Sequence, residues 1–362
     1  MTTFVPFDPL VETISQDEAE AVESLRASFK HILETTSRDY GHAVRGVHAK
    51  GHAIIRGEVS VLPDLPPEFA QGLFAQPGRY EAVLRLSTSP GDILDDAVSS
   101  PRGAALKVLG VAGERLEGEH GGEQDFLMVN GPVFGARTPA AFAGNLKLLA
   151  ATTDRAERAK IALSATLRRV EGAIEALGGK SALISLLGGA PEVHPLGETY
   201  YSQTPYRYGD YIAKTSLAPV SPALTERSGT IVDVHDRPDA LREDVGAVMV
   251  QHGGTWALRV QLCVDLETMP VEDPTVEWDE AASPFVTVAT FTAAPQMSWR
   301  EGVSQSEEDL LSYSPWHGLV AHQPLGAINR ARRAMYDYSA DFRAEVNQCP
   351  VHAIKMLEDL SD

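Results

Sequence analysis

Residues 80–88 read YEAVLRLST, and this stretch is the plainest sign of the fold class. Successive side chains of a strand point to opposite faces, so Val83, Arg85 and Ser87 would share one face. The leucines between them would occupy the other face. We therefore predict a β-strand here, and the segments on either side of it have the same extended character.

Further strand-like segments fall into two groups, with helical sequence between them. These segments are 44–61, 104–111, 125–131, 211–220, 229–236, 246–253, 256–266 and 285–292. Helices are predicted from the Ser15–Glu18 capping-box spacing onward, over 139–188, and from soon after Pro324. Strands, then helices, then strands again predict an α+β fold rather than alternating βαβ units. We expect an antiparallel sheet or barrel with inserted helices and a helix near the C-terminus.

Composition limits the classes of partner and the compartment. The chain has 31 Lys and Arg against 50 Asp and Glu, a formal net charge of −19. Such acidity argues against nucleic acid and against an anionic membrane surface as partners. Two cysteines, no basic-then-apolar leader and no apolar run of ~20 residues predict a cytoplasmic protein without a membrane span.

Two short segments carry candidate chemistry, although the common signatures of hydrolases, nucleotide-binding loops and zinc proteases are missing. The first is RGVHAKG at 45–51, where glycines punctuate an extended segment around His48. The second places Arg332 one helical turn before Tyr336, with Arg343 two turns further along the same face. Taken singly, each segment is better explained by an ordinary feature, a hydrogen-bonded histidine in the first and an exposed Arg–Tyr contact in the second.

Five segments in a fixed order resemble the haem catalase family. They are VHAKG (47–51), VLRLST (83–88), SPRGAALKVL (100–109), DFLMVNGPVF (125–134) and the R-x-x-x-Y of 332–336. The resemblance implies the antiparallel barrel of the haem catalases. It also implies haem b as cofactor, with its iron bound by the phenolate oxygen of Tyr336 and with Arg332 keeping that oxygen ionised.

The same resemblance implies a catalytic set and a haem-contacting set. His48 would act as the general acid–base in peroxide O–O cleavage, Asn130 would hold the peroxide, and Ser87 would orient His48. The other residues implied to contact the haem are Arg45, Val47, Arg85, Phe134 and Arg343. Of these, the three arginines would pair with the haem propionates.

The resemblance also implies how the chain is divided. We predict one catalase-like domain over 1–362: a helical arm (1–43), a barrel with a helical insertion at 139–188 (44–300), and C-terminal helices that carry the proximal ligand (301–362). The short chain and the WHGLVAHQPLGAINRAR block at 316–332 are similar to minimal catalase-related peroxidases. Gly135 and Ala143 stand where the haem catalase family has pocket phenylalanines, and the loss of these rings would admit larger peroxides.

We therefore expect a haem peroxidase that reduces hydrogen peroxide and organic hydroperoxides, with weak catalase activity. Its partners would be the peroxide and a small-molecule electron donor, and a homodimer is an open expectation. The alternatives are a fatty-acid hydroperoxide isomerase of the allene oxide synthase kind, a true catalase, and a non-catalytic haem-binding protein. Val47 argues against the isomerase, because those synthases have threonine before the distal histidine.

Overall fold

The computed structural model describes residues 3–150, 191–349 and 356–360, and its centre is a β-barrel. Over these residues the strands are β1 (Gly51–Val61), β2 (Arg79–Thr88), β3 (Arg102–Val108), β4 (Gln124–Val129), β5 (Tyr200–Tyr201), β6 (Tyr206–Tyr208), β7 (Tyr211–Pro219), β8 (Gly254–Leu262) and β9 (Val286–Ala293). They pair antiparallel in the order β5-β4-β3-β2-β1-β9-β8-β7-β6. Because β5 also pairs with β7, eight strands close into a barrel and β6 extends it at β7. The predicted fold class is confirmed.

Helices cover the outside of the barrel. They are α1 (Glu18–Tyr40), α2 (Pro139–Ala150), α3 (Pro222–Thr225), α4 (Ala240–His252), α5 (Val303–Leu310) and α6 (Ala327–Asn347), with single 3₁₀ turns at Pro9–Val11, Gly72–Phe74, Pro195–Gly197, Val320–His322 and Leu357–Asp359. Among the described residues, no helix is long and apolar enough to cross a bilayer. The division into arm, barrel and C-terminal helices stays a prediction, and 151–188 of the predicted insertion lies outside the described residues.

The two faces of β2 have different surroundings, as the alternation at 80–88 predicts. Leu84 and Leu86 are buried in the large apolar cluster inside the barrel, together with Trp256 and Phe291. Val83 belongs to a separate cluster that includes residues of the C-terminal segments. Arg85 and Ser87 share the face of Val83, so they point away from the barrel core and towards α5 and α6.

Two predicted strands and one predicted helix start are wrong. Residues 246–252 form the last half of α4, Gly253 caps it, and its buried side chains Val245, Val248 and Met249 follow helical spacing. Residues 229–236 make only one isolated bridge, from Ile231 to Val193. A short apolar run does not distinguish strand from helix, which explains the error at α4. Helix α1 begins at Glu18 after Asp17, and Ser15 bonds Asp17 instead of capping the helix.

Candidate active site

A cavity lies between the outer face of β2, β3 and β4 and the helices α1 and α6. The cavity has a volume of about 70 Å³. Its lining residues are Phe29, Arg45, Val47, His48, Arg85, Ser87, Gly103, Ala104, Ala105, Leu127, Met128, Val129, Tyr313, Arg332, Met335, Tyr336 and Ser339. The lining combines apolar side chains with a few basic and phenolic groups, so it suits a ligand that has both an apolar part and anionic groups.

Helix α6 brings Arg332 and Tyr336 together on the cavity wall. Nη2 of Arg332 donates to the Tyr336 hydroxyl over 3.3 Å, and the guanidinium carbon lies 5.4 Å from the centre of the phenol ring. The other terminal nitrogen of Arg332 donates to Oδ1 of Asn329, which also accepts from Thr204. Burial lowers the pKa of Arg332, but Tyr336 and Tyr206 outweigh it and the pKa is raised. The Arg332 guanidinium can therefore stabilise negative charge on the Tyr336 oxygen.

His48 precedes β1 and does not lie within a strand, which corrects the prediction of extended chain over 44–61. Its φ of 54° is in the left-handed region, and its N–H donates to the Ser89 carbonyl over 2.8 Å. That conformation aims the ring into the cavity, where Nδ1 lies 3.1 Å from the Ser87 hydroxyl. Burial and the charges of Arg85, Arg332 and Arg45 lower the pKa of His48 to about 3. The imidazole is therefore neutral near pH 7 and able to accept a proton.

Three arginines from separate parts of the chain meet at the end of α5. Arg45 and Arg85 both pair with the Glu308 carboxylate, and Nε of Arg85 lies 2.7 Å from Oε1. Arg343 donates to the main-chain carbonyls of Glu308 and Leu311. Its Nε is buried with no hydrogen-bond partner among the described residues. The predicted cationic set is thus assembled, while its role toward haem stays a prediction.

Asn130, Phe134 and Arg343 do not line the cavity, unlike the other predicted site residues. The side-chain oxygen of Asn130 accepts from the Arg102 N–H over 2.8 Å, and its nitrogen donates to Glu198 over 2.7 Å. The ring of Phe134 packs edge-on against Phe142, with centres 5.1 Å apart. Their predicted roles toward peroxide and haem stay predictions. The predicted residues that do line the cavity are Arg45, Val47, His48, Arg85, Ser87, Arg332 and Tyr336.

Sequence reasoning missed several residues of this site. Phe29, Tyr313, Met335 and Ser339 line the cavity, and Glu308 holds the arginines beside it. Phe29 and Met335 have the helical spacing of ordinary core residues, so no signal in the sequence distinguishes them. Tyr313 is buried and its hydroxyl has no partner in the described ranges. Glu308 belongs to an unremarkable acidic run in α5.

Comparison with known proteins shows the fold of the catalases. No family model matches the chain, and no curated protein matches it. A fungal catalase structure has a TM-score of 0.62 and 18% identity, covering 88% of this chain and 64% of its own. Catalase A from Saccharomyces cerevisiae has a TM-score of 0.60 and 15% identity, covering 97% and 69%. A bacterial catalase has a TM-score of 0.57 and 17% identity, covering 90% and 63%.

The matched region therefore amounts to between 63% and 69% of the length of those catalases. At such low identity the likeness establishes a shared barrel architecture. The chemistry of this chain has to be argued from its own cavity.

Proposed function

We propose that the protein is a haem-dependent peroxidase that reduces hydrogen peroxide and organic hydroperoxides and has weak catalase activity. The observation that carries the proposal is that a neutral, half-buried histidine, His48, and a phenol beside a guanidinium, Tyr336 with Arg332, line one cavity. The catalase fold supports it, because that fold places the same kinds of residue around haem in the resembling family.

The residues present fit haem b. Tyr336 offers a phenol oxygen suited to ferric iron, and the apolar lining suits the faces of a porphyrin. Two propionates need cationic partners, and Arg45, Arg85 and Arg343 are buried together at one end of the site. Nε of Arg343 has no hydrogen-bond partner in the part of the chain that the structure describes, so an added carboxylate could satisfy it.

Each of the named site residues then has a definite role. When bound, haem supplies an iron centre that can be oxidised by a peroxide. Tyr336 would bind that iron, and Arg332 would hold negative charge on the phenol oxygen. Because Nδ1 of His48 is engaged with Ser87, Nε2 is the atom that would take a proton from the peroxide and return it to the departing oxygen. Ser87 would fix the plane of the ring.

The proposed preference for larger peroxides rests on the small residues Gly135 and Ala143, where the haem catalase family is expected to have pocket phenylalanines. A Cβ at Gly135 would meet no atom within 4 Å, so the place of an expected ring is open space. Ala143 is buried against α1 and α6 instead of carrying a ring. We propose that this space admits organic hydroperoxides, with a small-molecule electron donor as reductant, in a cytoplasmic protein that could form a homodimer.

The test is an absorption spectrum of the purified full chain, compared with that of Tyr336→Phe. We expect a Soret band and a high-spin ferric spectrum with tyrosinate character, and we expect Tyr336→Phe to lose haem or that character. Tyr338→Phe is the matched control, because Tyr338 lies on α6 and packs near Arg26. Absence of a Soret band in protein from haem-replete cells would refute the proposal.

Kinetics on the same preparation separate the alternative activities. Hydrogen peroxide and a bulky hydroperoxide are compared, each with and without an oxidisable donor. Donor oxidation with both substrates supports the peroxidase. Oxygen release from hydrogen peroxide as the dominant reaction would indicate a true catalase. A rearranged product from the hydroperoxide without a donor would indicate an isomerase, and no reaction would indicate a haem-binding protein.

A further inference from the structure

Glu308 uses the donors of two arginines that a haem propionate would need. The two carboxylate oxygens of Glu308 accept hydrogen bonds from Nε of Arg85, at 2.7 Å to Oε1 and 2.9 Å to Oε2. Oε2 also pairs with Nη1 of Arg45. The remaining bonds of these arginines go to main-chain carbonyls, from Arg45 to Glu308 and Leu311 and from Arg85 to His48. A propionate that bound Nε of Arg85 and Nη1 of Arg45 in a charge-assisted way would have to take the bonds that Glu308 now makes.

The net positive charge around Glu308 favours the binding of an added anion. Across the described residues, Glu308 is the one carboxylate that forms an ion pair with this set, against three guanidiniums that are nearly or fully buried. Burial lowers the pKa of Arg85 to about 10, and the charge of Arg343 adds to this effect. A buried cationic excess of this kind is costly unless further negative charge is supplied.

Helix α5 can keep its place while the Glu308 side chain moves. The neighbouring Glu307 is buried and pairs with Arg56 at 2.6 Å and Arg300 at 3.1 Å. These contacts hold α5 against the barrel from its other side. Glu308 itself packs against Gly51, where an added Cβ would overlap Oε1. The carboxylate therefore fills space that only a glycine leaves open.

We propose that Glu308 is an exchangeable carboxylate that occupies Arg45 and Arg85 until a haem propionate displaces it. This inference rests on the proposed haem function and deepens it, because it makes Glu308 the residue that sets haem affinity. Glu308 stabilises the arginine cluster in haem-free protein and competes with the cofactor for the same donors. If Glu308 instead bridged the arginines to the propionate permanently, its removal would weaken haem binding.

The test measures haem affinity and thermal unfolding of the full chain, with Glu308→Gln beside the wild type. Removing the competing charge should tighten haem binding roughly tenfold to a hundredfold, the worth of a charge-assisted hydrogen bond. The same change should lower the unfolding temperature of haem-free protein and leave that of loaded protein nearly unchanged. Glu307→Gln is the matched control on α5 and should not tighten haem binding.

The probe is haem itself, compared with haem dimethyl ester, whose propionates carry no charge. Glu308→Gln should gain affinity for haem and not for the ester, because only a carboxylate competes for the guanidiniums. Gly51→Ala is a second variant, since its methyl group would push the Glu308 carboxylate from its place without removing its charge. We expect it to tighten haem binding in the same direction.

The outcomes separate this inference from the proposed function. If the wild type binds no haem, the proposed function fails and the inference with it. If the wild type binds haem but Glu308→Gln binds it equally or more weakly, the exchange alone is refuted. An equal gain for haem and its dimethyl ester would also refute it, because competition with the propionates would not be the cause.

Discussion

Gly103 faces the His48 ring so closely that an added Cβ would lie 2.5 Å from Nδ1. The same Cβ would lie 3.0 Å from the Ser87 hydroxyl. Gly103 on β3 pairs directly with Ser87 on β2, so the sheet register brings the glycine under the histidine. The absence of a side chain at this position is therefore a requirement of the His48 conformation.

Gly103→Ala should displace the imidazole while leaving the helix that carries Tyr336 untouched. We expect haem to be retained and its reaction with peroxide to slow roughly tenfold to a hundredfold, a part of what general acid–base catalysis supplies. Rapid mixing with hydrogen peroxide measures the rate. Gly122→Ala is the control, because a Cβ there meets no atom within 4 Å. An unchanged rate in Gly103→Ala would show that the ring position does not matter.

His48→Ala should remove the proton acceptor itself. The haem spectrum should persist, and the rate of reaction with peroxide should fall by about 10² to 10⁴. Because the pKa of His48 is about 3, the wild-type rate should be nearly constant between pH 5 and 9. His42→Ala is the control, since His42 is exposed and bonds Asp309 outside the cavity. A steep rise in rate near pH 6.5 would contradict the neutral assignment.

A buried ion pair between Lys107 and Asp125 should contribute strongly to stability. Nζ of Lys107 lies 2.8 Å from Oδ1 of Asp125, and both side chains are at most 2% exposed. Lys107→Met would leave Asp125 buried with His317 as its remaining ionisable partner, so we expect a loss of about 3–5 kcal/mol in the free energy of unfolding. Urea unfolding measures it.

The control for that variant is Lys30→Met. Lys30 pairs with Glu34 on the exposed side of α1, with side chains 60% and 50% exposed. Its replacement should cost less than about 1 kcal/mol. If Lys107→Met and Lys30→Met lowered the free energy of unfolding equally, burial of the Lys107–Asp125 pair would add nothing to stability.

Acid should destabilise the fold through histidines that are buried in the neutral form. Burial, with a contribution from Arg207, lowers the pKa of His322 to about 3. An unfolded histidine titrates near 6.5, so between these values the unfolded chain binds a proton that the folded chain does not, and stability falls as the pH drops. From pH 7 to pH 5 this one group should cost about 2 kcal/mol.

His322→Gln isolates that contribution. Nε2 of His322 accepts the Leu73 N–H over 2.9 Å, and a glutamine oxygen can replace that acceptor without titrating. Urea unfolding at pH 7 and pH 5 should show a smaller loss in the variant than in the wild type, by about 2 kcal/mol. Identical losses would mean that His322 does not remain neutral in the folded protein.

The local sequence pattern was sufficient to predict those features that depend only on neighbouring residues along the chain. The alternation at 80–88 predicts β2 and the separation of Leu84 from Arg85, and the spacing of Arg332 and Tyr336 predicts their contact on one helix face. These features depend on the periods of strand and helix, which a sequence states directly. Residues 246–253 show the limit, because a short apolar run fits both periods.

The order of strand-like and helical segments thus determined the class of fold, and seven of the residues that the family resemblance singled out line the cavity. Tertiary structure alone decided how the site is assembled. The left-handed backbone of His48, its contact with Gly103, and the meeting of Glu308 with Arg45 and Arg85 join segments tens to hundreds of positions apart. No local periodicity encodes such contacts, because they follow from the closure of the barrel and the packing of α5 and α6 against its outer face.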